Sequence, residues 1–347
     1  MPARSVRSSI PLRSADSSVR SKSFALAALV FCSVVGAAGV VAAPSVGATT
    51  KYTVTTISVP EALIPIVGFA VDPRSDTVFL GSNDLGVLDG RTNKITTSAA
   101  NLNCAGYGIG VNPKTDLVYA VPYFGDYVWV INGKTDKVTH KIKIPAAEAG
   151  LVVDASTNTI YVASNRSGTV EAISGRTNKV IAKIPVGPNP AFLAVNPSTD
   201  TIYVTHVIEA TLDVINGKTN KVTHVITLPT SSEGADGRVA VNPSTDTVYV
   251  GQTSDGPAFV VNGKTNKVVG HITAGRLDTT LVAVNSSTDT VYVGSLNGNK
   301  VYVVNGKTRK VTATLNVGME PIVLAVNSST GAVYVSNEES NTISVIT

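Results

Sequence analysis

The chain has 347 residues, with 28 Lys and Arg against 24 Asp and Glu, a formal charge of +4 and a sequence pI near 8.9. The surplus is local: residues 1–48 carry five bases and one acid, and the rest balances at 23 of each, which excludes a charge-driven nucleic-acid binder. The two cysteines, Cys32 and Cys104, fall on either side of that division, so residues 49–347 have no intramolecular disulfide to rely on.

In chain order, Arg4, Arg7, Arg13, Arg20 and Lys22 precede an uncharged apolar run from Phe24 to Ala43, followed by small residues up to Ala48. A basic head, an apolar stretch and small residues describe a secretory signal, here residues 1–48, cleaved after about Ala48. The alternative is an uncleaved membrane anchor, because twenty apolar residues can span a bilayer; the small residues favour cleavage. Either way the expected location is extracytoplasmic, secreted or in the cell envelope. Cys32 lacks the surroundings of a lipidated cysteine.

From residue 51 onward the chain repeats itself. A phrase recurs seven times, as VDPRSDTVFL from Val71, VNPKTDLVYA from Val111, VDASTNTIYV from Val153, VNPSTDTIYV from Val195, VNPSTDTVYV from Val241, VNSSTDTVYV from Val284 and VNSSTGAVYV from Val326. The spacings of 40, 42, 42, 46, 43 and 42 residues suit four-stranded propeller blades. A second phrase, NGKTNKV and its variants from Asp89, Asn132, Ser174, Asn216, Asn262 and Asn305, occurs six times. Each unit reads strand, turn, strand, turn, and no window beyond the leader has the period of an amphipathic helix. The residue before the repeated Val is small in all units but one, as a strand crowded around an axis requires. Phe79, Tyr119, Tyr161, Tyr203, Tyr249, Tyr292 and Tyr334 put one aromatic at a fixed place in each unit, to fill the space between sheets.

The expectation is an all-β, seven-bladed β-propeller of four-stranded antiparallel blades over residues 49–347. The seventh unit ends after its third strand, whereas residues 51–71 align with a fourth strand leading into a first. Lys51 to Val59 is therefore expected to complete the blade of residues 321–347 and close the ring.

These phrases resemble the YVTN-type β-propeller repeats of YncE-like and surface-layer-like exported proteins, with NTISVIT from Asn341 close to the third-strand segment of that family. The resemblance covers residues 51–347 and implies the fold, an exported bacterial protein and a broad range of functions, since propellers host binding, scaffolding and several chemistries.

Motifs that suggest chemistry are weak. Gly-Lys-Thr at Gly133, Gly217, Gly263 and Gly306 lacks the earlier glycine and following helix of a phosphate loop, and reads as a hairpin. Asn-Pro-Ser-Thr-Asp lacks calcium-loop spacing and reads as a turn. His140, His224 and His271 lie in the outer strands of three blades and cannot share a metal. His206 differs, because it follows a second strand where loops gather.

Charge divides between the two ends. The end carrying the loops before first strands and between second and third strands has twelve acids against Arg166, Arg238, Arg276 and Lys300. The end carrying the repeat turns has fifteen bases and nine acids. The irregular loops also lie on the acidic end, so the candidate ligand-binding residues are Asp84, Tyr123, Asp126, Arg166, His206, Glu209, Asp255, Asn297 and Glu338. The expected function is a monomeric module that binds a small molecule, a glycan or an envelope protein at that end, with no cofactor. The alternative is a lyase or hydrolase using a divalent cation held by carboxylates at the same mouth; no positioned base or nucleophile supports it.

Overall fold

The structure, a computed structural model, describes residues 51–347 apart from 99–104, 123–124, 148–149, 230–236, 253–255 and 276–279. Its strands form seven four-stranded antiparallel sheets. Six are built from consecutive strands, as in the fourth blade: Pro190–Asn196, Thr201–His206, Thr211–Asn216 and Lys221–Thr227. The first strands neighbour one another in a closed circle. Two single 3-10 turns, Glu61–Leu63 and Asn165–Ser167, are the only helical elements among the described residues.

The seventh blade takes its outer strand from the other end of the chain. Val54–Ser58 runs antiparallel to Thr342–Ile346, from Val54 opposite Ile346 to Ser58 opposite Thr342. Thr53 N donates to Thr347 O at 2.8 Å, so pairing continues to the last residue. The exposed edge that a three-stranded blade would present is covered.

The core lies between blades. Each of seven apolar clusters draws its residues from two neighbouring blades, one cluster to a seam; Leu63, Val78 and Leu88 of the first blade pack with Tyr334, Ile343 and Val345 of the seventh. Strand alternation supplies this, since each sheet must bury both faces. The aromatic column is buried throughout, from Tyr119 and Tyr334 at 0% exposed to Tyr292 at 5%.

The repeated turns hold two levels of structure at once. In Val-Asn-Pro, the Asn Oδ1 accepts a backbone N–H two residues on, as Asn196 does from Ser198 N at 3.0 Å. Its amide nitrogen then donates to the next blade: Asn112 to Asn158, Asn196 to Asp246 and Asn242 to Asp289, each at 2.7 Å. The accepting residues sit in the left-handed region, with φ near 51–56°, which Asn and Asp tolerate best after Gly. In the Gly-Lys-Thr hairpins the backbone N–H groups that would cradle a phosphate are already taken. Asn132 Oδ1 accepts from Lys134 N and Thr135 N at 3.0 Å, and Gly133 N donates to Asp116 O at 2.7 Å.

Candidate functional site

Because first strands begin where second strands end, the connectors between blades and the loops joining second to third strands share one end of the ring. Asp84, Asp126, Arg166, Glu209, Asn297 and Glu338 all stand on or beside those second-to-third loops, one blade after another. Tyr123 and Asp255 lie outside the described residues, as do Glu148, Glu233, Asp236, Asp278 and Arg276 of the charge count, and the leader.

Among the described residues, the centre of this end carries no acid. A cavity of about 140 Å³ is lined by the first strands of all seven blades, including Phe69, Ile109, Leu151, Leu193 and Leu324, and among the described residues its one charged lining side chain is Arg238. The Arg238 guanidinium lies over the Phe192 ring, 4.8 Å from its centroid, a cation–π arrangement. Of the carboxylates expected at the mouth, Asp126 is exposed and 4.0 Å from Lys143 of its own blade's outer strand, while Asp84, Glu209 and Glu338 are half-buried.

Part of the lining was legible three residues before each repeated Val, a column the candidate residues above omit. It reads Gly68, Gly108, Gly150, Phe192, Arg238, Leu281, Val323. Three successive blades thus have glycine in this column and line the cavity from the next residue, Phe69, Ile109 and Leu151, whereas the next two blades bring the stacked pair. In a repeat, such a lopsided column marks a place that the fold alone does not dictate.

A second, wider groove of about 630 Å³ opens between the third and fourth blades, lined by residues 165–169, Pro185, Val186, Pro188 and Asn189. Arg166 is exposed on its wall. A chain of hydroxyls leads inward from it. Ser167 Oγ and Thr169 Oγ1 are 2.6 Å apart, Thr169 Oγ1 donates to Glu171 Oε1 at 2.8 Å, and Ser164 Oγ donates to Glu171 Oε2. Glu171 is fully buried, so hydroxyl donors rather than a cation satisfy its carboxylate.

His206 occupies the place in the fourth blade that Ser164 holds in the third, and Asp213 that of Glu171. The ring is fully buried, with Nδ1 2.9 Å from Pro188 O and Nε2 3.5 Å from Asp213 Oδ2. The second distance is that of an ion pair rather than a well-formed hydrogen bond. Gly187 N also donates to Asp213 Oδ2, at 3.3 Å. His206 therefore fastens the connector that forms one wall of the groove and offers no atom to a ligand. Burial disfavours its charged form, but the Asp213 carboxylate, the Pro188 carbonyl and Glu209 outweigh that and hold its pKa above the usual histidine range. The connector before the seventh blade is built the same way with neutral groups: Gly318 N donates to Ser344 Oγ at 3.3 Å, and Asn337 stands where His206 does.

Glu338 is half-buried, and burial together with the charge of Glu320 raises its pKa. Among the described residues no three His, Cys, Asp or Glu side chains stand close enough to hold a metal ion, and no helix is long and apolar enough to cross a membrane.

No protein-family model matches the chain, and no curated protein matches it. Among solved structures it is similar to a chain of Kuenenia stuttgartiensis hydrazine synthase, with a TM-score of 0.70 over 82% of this chain and 95% of that one, at 16% identity. At that identity the likeness shows the fold alone, a β-propeller.

Proposed function

We propose that the protein is an exported β-propeller binding module, of the kind its YVTN-like repeats suggest, that takes its ligand at the loop-rich end. The observation that carries this reading is the break in the repeat at that end: Phe192 and Arg238 stack at the central cavity in a column where three other blades have glycine. At about 140 Å³ the cavity is smaller than an ordinary ligand pocket of roughly 300–1,000 Å³, so it receives a small molecule or one protruding group of a larger partner. The groove between the third and fourth blades has the room for the rest. The loop carboxylates Asp84, Asp126, Glu209 and Glu338 give the rim a negative field that favours cationic or neutral partners, most strongly at low salt.

The test is charge reversal at each end, read as the thermal shift produced by a panel of monosaccharides, amino acids and polyamines. Asp126→Lys with Glu338→Lys weakens capture of any hit, while Lys218→Glu with Lys264→Glu, on the turn end, leaves it unchanged. Equal losses from both pairs count against the assignment.

A further inference from the structure

On the turn end, four seams are closed by one bond: an Asn amide nitrogen donates to an Asn or Asp Oδ1 of the next blade, in Asn112 to Asn158, Asn196 to Asp246, Asn242 to Asp289 and Asn327 to Asp76. Between the third and fourth blades the donor's place is taken by Asp154 and the acceptor's by Asp200. Asp154 Oδ1 keeps the local role, accepting from Ser156 N at 2.7 Å. Asp154 Oδ2 then stands where the repeat has an N–H donor, and Asp200 Oδ1 where it has the acceptor. Both atoms are buried and neither has a hydrogen-bond partner; Asp154 is 0% and Asp200 9% exposed.

The seam between the first and second blades also carries two acids, Asp72 and Asp116, but Arg74 bridges them at 3.7 and 2.6 Å and Lys134 adds a contact to Asp116 at 2.8 Å. The residue matching Arg74 in the third blade is Ser156, which offers no charge. The groups around the Asp154–Asp200 pair are the Tyr161 hydroxyl, raised in pKa by burial and by both carboxylates, and Lys218 of the fourth blade's hairpin. Two unprotonated carboxylates buried at this place would leave two acceptors opposed with no donor between them, whereas one proton restores the bond that four of the seams make.

We propose that Asp200 carries a proton that it donates to Asp154 Oδ2, so that the seam between the third and fourth blades is closed by a titratable bond where four of its counterparts use an amide. Burial first, and then the Asp154 charge, hold the Asp200 carboxyl above the ordinary carboxylate range against the pull of Lys218, in keeping with this arrangement. A raised folded-state pKa contributes stability that is complete below the unfolded carboxylate value and is lost as pH rises through the folded one. The seam therefore loosens in alkali. It is the seam whose other end borders the groove of the loop-rich face, although the proton pair does not depend on that groove binding anything.

The test uses the full chain and Asp154→Asn, which restores the repeat's own donor. Its thermal unfolding midpoint exceeds that of the unsubstituted protein by several degrees at about pH 8, and the gap closes or reverses near pH 4.5. An infrared carbonyl band of a protonated carboxyl group, present at neutral pH in the unsubstituted protein, disappears in Asp154→Asn. Asp200→Asn, which supplies the donor from the opposite side, is read in the same way if the first variant folds poorly. A gap that does not change with pH, or a carbonyl band common to all three proteins, overturns the proposal. So does a midpoint that millimolar calcium or magnesium raises in the unsubstituted protein and not in Asp154→Asn, because a metal ion would then fill the proton's place.

Discussion

Asn327 Nδ2 donates to Asp76 Oδ1 at 2.6 Å across 251 residues of chain, joining the last blade to the first by the same bond that joins blades adjacent in sequence. The ring is thus locked twice at its closure, by this contact on the turn end and by the strand Val54–Ser58 at the outer edge. Asn327→Ala leaves the half-buried Asp76 Oδ1 with only the longer contact from the Tyr334 hydroxyl at 3.5 Å, and the loss of one such hydrogen bond costs about 1 kcal/mol. Urea unfolding of this variant is expected to show a midpoint lowered accordingly with an unchanged slope; an unchanged midpoint would mean that the contact contributes nothing.

The outer lock is tested by removing residues through Val59. Thr342–Ile346 then becomes an uncovered edge with apolar Ile343, Val345 and Ile346 beside it, and the product is expected to aggregate or to melt early. A monomer that melts cooperatively at the temperature of the intact protein would refute closure by the N-terminal strand.

His206 gives the loop-rich end its own pH dependence. Its folded-state pKa is raised, so its contribution to stability is complete below the unfolded value of about 6.5 and lost as pH rises through the folded one. Substituting Asn, the residue at the matching place in the seventh blade, removes that dependence. Stability of His206→Asn relative to the unsubstituted protein is expected to rise between about pH 6 and pH 9. A relative stability that does not change over this interval would show that the Asp213 pairing is not charged in the folded protein.

The fold was legible because repetition averages out local ambiguity: seven copies of one turn phrase set the blade number, and the six copies of the other located the displaced strand. What the same columns hid was division of labour between atoms. Asn196 reads as a turn residue, and it is one through Oδ1, yet its Nδ2 is a bond between blades. At the loop-rich end, residue type pointed to carboxylates such as Asp126 and Glu338, whose charge is plain in a sequence. The central cavity is instead lined by apolar residues such as Phe69, Ile109, Leu151 and Leu193 together with Phe192 and Arg238, and only registration against the repeat sets that pair apart from the glycines of three other blades. His206 stood out by its place, but whether a histidine faces solvent or a buried aspartate depends on the connector folded over it, and no spacing encodes that.

The central claim is that ligands enter the loop-rich end. Its most direct measurement is a crystal structure of the protein soaked with the panel hits described above. The account predicts ligand density against Phe192 and Arg238 in the central cavity, extending toward the groove beside Arg166. Density confined to the basic turns of the opposite end, with the central cavity unchanged, would contradict it.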